Sequence, residues 1–158
     1  GSYPYTVEDC LAVVAECAPQ SQLPRVDTTR LLTEFDRART RLQQTIQSLA
    51  VELRATNRGI AIYGAGHRTA TWLELAGLGE MVTCVIDDDR SKQGGYLAGS
   101  GVPIGPATWL LERQIGLCVG LLSADIVRKI AARETEYTAR GGRFATIDDL
   151  LMWQARHD

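Results

Sequence analysis

Residues 60–66 read Ile-Ala-Ile-Tyr-Gly-Ala-Gly, an apolar run that stops at two glycines, and His67-Arg68-Thr69-Ala70 opens a helix-like stretch behind it. A buried strand feeding a glycine turn and then a helix N-terminus is how α/β proteins hold a phosphate. Gly64 and Gly66 let the backbone turn tightly and approach a ligand with no Cβ in the way. The amides of His67, Arg68 and Thr69 then carry the positive end of the helix dipole. The spacing is G-x-G-x-x-x-A, one residue longer than the dinucleotide pattern. Its place between a strand and a helix therefore weighs more than the glycines themselves.

A second apolar strand, Val82 to Ile86, runs into Asp87-Asp88-Asp89. An acidic residue about twenty positions beyond the glycine turn meets ribose hydroxyls in dinucleotide-binding domains, which makes Asp87, with Asp88 beside it, the expected ribose contact. The same three residues also suit a solvated turn. They raise the question of Mg²⁺, but consecutive loop residues point in different directions, and no metal site is expected. Lys92-Gln93-Gly94-Gly95-Tyr96 follows as a loop over the strand ends, with Lys92 able to neutralise a phosphate. The expected ligand contacts are thus Gly64, Ala65, Gly66, His67, Arg68, Asp87, Asp88, Lys92 and Tyr96.

Around this centre the pattern alternates. Strands are predicted at 60–63, 82–86, 117–122 and 143–147, and helices at about 67–78, 106–113, 124–139 and from 148. A long loop covers 87–105. Strands separated by helices imply a Rossmann-like α/β fold, a mainly parallel sheet of four or five strands with flanking helices. Ahead of it, a helix is expected from Thr6 to near Pro19, then a connector. A long helix capped by Asp27 follows, reaching about Ala55, with Gly59 as its left-handed terminator. Leu31, Phe35, Ala38, Leu42, Ile46, Leu49 and Leu53 form one stripe along that helix. It spans about 42 Å, more than a small domain covers. The stripe packs on the α/β domain, or it pairs with a second copy or another domain through residues 27–55. The division expected is a helical segment, 1–56, and a nucleotide-binding domain, 57–158.

Bulk properties narrow the partners. The net charge is −2, from 17 basic and 19 acidic residues without long runs of either sign, which argues against nucleic acid or an anionic membrane. No apolar stretch approaches the roughly 18 to 20 residues that span a bilayer. Cys10, Cys17, Cys84 and Cys118 form no CxxC pair, and reduced cysteines in a cytoplasmic protein are the simplest reading. Gly1-Ser2 is expected to be a cloning remnant, with the chain then an excised piece of something longer.

The stretch from Ile60 to Ile104 resembles the C-terminal domain of sugar C-methyltransferases. The matching residues are Tyr63, Gly64, Ala65, Asp87, Lys92, Gln93, Gly94, Tyr96, Gly99, Pro103 and Ile104, with Gly141-Gly142 before the last strand. The likeness covers roughly residues 30 to 147, and K-Q-G-x-Y is its most specific part. It implies a Rossmann-like domain that helps bind a nucleotide-sugar substrate, while a separate domain holds S-adenosylmethionine and the catalytic base. S-adenosylmethionine is accordingly not expected here. His67-Arg68-Thr69 departs from that family's pattern, which has a small residue and Lys-Gly there. Gly64-Ala65-Gly66, Asp87-Asp88-Asp89 and Gly101-Val102-Pro103-Ile104 are also similar to the nucleotide-sugar-binding half of certain sugar acetyltransferases.

Catalytic candidates are sparse. His67 at the helix start and Tyr96 in the loop are the two that could move a proton, and Ser123 is expected to cap the helix behind it. The leading expectation is a nucleotide- or nucleotide-sugar-binding domain without chemistry of its own. An NAD-dependent oxidoreductase and a non-catalytic oligomerisation module are the alternatives.

Overall fold

The computed structural model describes residues 2–4, 11–13 and 27–154. Its centre is a parallel sheet of β3 (Gly59–Tyr63), β4 (Cys84–Ile86), β5 (Ile104–Gly105), β6 (Ile115–Gly120) and β7 (Arg143–Thr146), in the order β5-β4-β3-β6-β7. Counted within the sheet this is 3-2-1-4-5, the doubly wound Rossmann order, with its reversal between β3 and β6. The expected α/β class is what the chain adopts.

Side-chain alternation builds the two layers. Ile60, Ile62, Val85, Leu117 and Val119 face one core, which they share with α1 (Thr28–Ala55) and α2 (His67–Ala76). Ala61, Tyr63, Cys84, Ile86, Ile115 and Cys118 face the other. There they meet α3 (Trp109–Glu112), α4 (Ala124–Arg133) and α5 (Thr135–Ala139). Strands covered on both faces are apolar throughout, as a parallel sheet requires. The last helix, α6 (Ile147–Gln154), packs against α1.

Several expectations shift. Leu11–Val13 forms a strand, β2, antiparallel to β1 (Ser2–Pro4), where a helix from Thr6 was expected. Leu-Ala-Val suits an extended chain as well as a helix, and pairing with Ser2–Pro4 decides it. The rest of that expected helix lies outside the described residues, as do Cys10 and Cys17. Asp27 does cap α1, accepting from the Arg30 amide at 3.1 Å. The left-handed residue behind α1 is Asn57 (φ 56°), not Gly59. Gly59 starts β3, and a Cβ on it would lie 2.3 Å from Thr83 Oγ1, so close strand packing demands glycine there. The helix expected over 124–139 breaks at Glu134, and α5 then buries Tyr137 edge-on to Phe144, with ring centroids 5.1 Å apart. Ser123 takes the N-cap position of α4, but its hydroxyl makes no capping bond.

Only the second half of the α1 stripe is buried: Leu42, Ile46, Leu49 and Leu53, with Ala50 and Thr45. A five-residue strand such as β3 extends only about 17 Å. The sheet therefore runs out beneath the helix, and Leu31, Leu32 and Phe35 remain exposed. No helix among the described residues is long and apolar enough to cross a membrane.

Candidate functional site

The strand ends of β3, β4 and β6 meet at the order reversal, where open α/β sheets bind ligands. Gly64 leaves β3 with φ 102°, and its amide donates to the Ile86 carbonyl at 2.7 Å. The chain then enters α2 at Gly66, and no side chain caps that helix. The Thr69 hydroxyl donates back to the Gly64 carbonyl and locks the turn.

The three aspartates part company. Asp87 points inward: Oδ2 accepts from the Ala65 amide at 2.6 Å and from Lys92 Nζ at 3.1 Å, and Oδ1 accepts from the Asp89 amide at 2.8 Å. Burial pushes its carboxyl up, yet the Asp89 and Ala65 amides together with Lys92 outweigh burial and hold it below the ordinary value. Gln93 Nε2 donates to the Asp87 carbonyl at 2.9 Å. Asp87 is thus a wedge that ties the glycine turn to the Lys92–Gln93 loop. Asp89 turns away and accepts from the amide and hydroxyl of Ser91.

Asp88 faces a cavity of about 530 Å³ lined by Tyr63, Gly64, Asp87 and Asp88, and on the α4 side by Leu122, Ile126, Lys129, Ile130 and Arg133. Its size is that of a small-molecule pocket. The Tyr63 hydroxyl donates to Asp88 Oδ1 at 2.7 Å and accepts from Arg133 Nη2. Arg133 Nη2 also reaches Asp88 Oδ1 at 3.1 Å and Oδ2 at 3.0 Å, while its Nε donates to Glu134 at 2.8 Å. Burial, and then Asp88, raise the Tyr63 phenol far above its ordinary value. It therefore stays a neutral donor. Lys129, one turn before Arg133, adds a second cationic side chain to the same wall.

Of the expected ligand residues, the cavity brings Gly64, Asp87 and Asp88 together. Arg68 stands at the reversal, where Nη1 donates to the Leu121 carbonyl at 3.1 Å. Lys92 is held on Asp87. His67 is exposed at the start of α2. Tyr96 is 72% exposed, and its backbone forms a bridge to Pro103. Neither His67 nor Tyr96 lines the cavity, and no proton-transfer set joins them. Tyr63 entered the sequence reading as the end of the first strand and as a match in the resemblance, not as an expected ligand contact, and the α4 wall was not expected at the site. Leu122 falls at the end of the strand expected over 117–122 and Ile126 and Ile130 in the helix expected over 124–139, and neither pattern by itself marks a ligand wall. Cys84 and Cys118 are free and buried. Among the described residues, no group of three or more His, Cys, Asp or Glu could hold a metal ion.

Residues 6–147 match the family of C-methyltransferase C-terminal domains, and the chain belongs to that family. Comparison with curated protein sequences gives no match. Among solved structures, the chain is similar to UDP-D-quinovosamine 4-dehydrogenase from Vibrio fischeri, at 24% identity and a TM-score of 0.41, over 62% of this chain and 86% of that one. A likeness at that level carries no functional argument.

Proposed function

We propose that this C-methyltransferase C-terminal domain binds the nucleotide part of a nucleotide sugar and performs no chemistry itself. The observation that carries the reading is the cavity at the ends of β3 and β4, walled by α4, whose lining residue Gly64 lies two positions ahead of Gly66, the uncapped start of α2. Diphosphate oxygens suit the α2 amides and Arg68, and the nucleoside suits the cavity. The cavity wall combines apolar side chains, Leu122, Ile126 and Ile130, with polar ones, Tyr63, Asp88 and Arg133, as a base and its ribose require. In this reading residues 57–158 carry the ligand and residues 1–56 connect it to its surroundings. The free, buried Cys84 and Cys118 suit the reducing cytoplasm. Calorimetry with TDP, UDP, NAD and S-adenosylmethionine is the test. TDP or UDP is expected to bind with Kd below about 1 mM, or about −4 kcal/mol, and S-adenosylmethionine to give no heat. Silence from both diphosphates removes the reading.

A second reading, an assembly module, is favoured by the exposed Leu31, Leu32 and Phe35 on the free half of α1. Leu42 and Ile46 belong to the chain's own core, so substitutions there would report on folding. Leu31→Asp with Phe35→Asp is the informative pair. If α1 pairs between copies, light scattering shows the wild-type mass falling to that of one chain in the double variant. An unchanged mass removes this reading.

A further inference from the structure

Resting on the nucleotide reading, we propose that Asp88 is the carboxylate that meets the ribose hydroxyls and that Arg133 is the residue that positions it. Asp87 is the neighbour that sequence spacing favours, but its two oxygens already serve the Ala65 and Asp89 amides and Lys92. A ribose there would have to displace the bonds that hold the glycine turn. Asp88 lines the cavity instead, with its side chain half exposed. Its Oδ1 accepts from Tyr63 and Arg133, whereas Oδ2 accepts from Arg133 alone. An ionised carboxylate has about four lone-pair sites, which leaves acceptor capacity on Oδ2 for a hydroxyl donor. Arg133 is itself held, since its Nε is engaged by Glu134. Tyr63 and Arg133 together leave Asp88 little freedom to rotate. A fixed acceptor beside the apolar row Leu122, Ile126 and Ile130 matches a nucleoside, whose base offers a flat apolar face and whose ribose offers hydroxyl donors.

The recognised chemistry is therefore the ring hydroxyl of a nucleoside diphosphate. The probes are UDP with its 2′,3′-dideoxy counterpart and TDP with its 3′-deoxy counterpart, measured by calorimetry on wild type, Asp88→Asn, Arg133→Met and Arg133→Lys. Wild type is expected to favour the hydroxylated member of each pair by roughly tenfold, the worth of a hydrogen bond to a charged group. Asp88→Asn, which loses the charge and keeps one acceptor oxygen, should shrink the preference for the hydroxylated probes. Arg133→Met should shrink the ratio, and Arg133→Lys should restore part of it. A purely structural Arg133 would weaken both members of a pair equally and leave the ratio alone. Tight binding in wild type with an unchanged ratio in Asp88→Asn overturns this assignment while the nucleotide reading stands. Wild-type protein that binds neither diphosphate overturns both.

Discussion

Asp87→Ala is expected to lower the unfolding free energy by about 3 kcal/mol, because it removes a buried carboxylate that now satisfies two partly buried backbone amides and a lysine. For a chain of this size that corresponds to a melting temperature lower by roughly 10 °C. Asp87→Asn keeps the shape and one acceptor oxygen and is expected to cost about half as much. The acid limb of stability carries the same signature. Because the folded carboxyl lies below its ordinary value of 3.8, its contribution is complete above that value and disappears as the pH falls through the lower folded value. Asp149, held low by the amide and hydroxyl of Thr146, adds in the same direction. Asp87→Asn cannot titrate, so its stability should fall less steeply than wild type below pH 4. Thermal melts across that range are the measurement. An Asp87→Ala variant melting within 2 °C of wild type, roughly 1 kcal/mol, would show that the turn holds without its wedge.

The other large effect concerns α1. Ile46→Ala is expected to cost about 3 to 4 kcal/mol, since Ile46 is 1% exposed and its removal leaves a cavity between the helix and the sheet. Leu31→Ala, on the same stripe but 54% exposed, is expected to cost no more than about 0.5 kcal/mol. Urea unfolding at equal protein concentration reads the difference. Equal losses at the two positions would mean that the free half of α1 is also packed in solution, and that would favour the assembly reading.

That contrast marks where periodicity stops being informative. Leu31, Phe35, Leu42, Ile46, Leu49 and Leu53 lie on one stripe because a helix repeats every 3.6 residues. Whether a given member is buried depends on how far the sheet reaches beneath it. The aspartate run shows the same limit. Asp87, Asp88 and Asp89 have identical side chains, and their roles separate only because β4 delivers successive residues in different directions. Arg133 was hidden for a different reason. It lies far from Asp88 in sequence, and the pairing of β6 beside β3 is what brings α4, the helix that follows β6, to the strand ends that carry Asp88.

The alternation of apolar strands and amphipathic helices, with the glycines after Tyr63, was enough to specify a parallel α/β sheet with a glycine turn at its strand ends. Those features follow from local periodicity and from backbone conformations that few residues other than glycine adopt. Strand order, the inward turn of Asp87, and the meeting of Tyr63, Asp88 and Arg133 were decided by tertiary structure. They depend on which distant segments the core brings together, and contacts between distant segments leave no periodic trace along the chain.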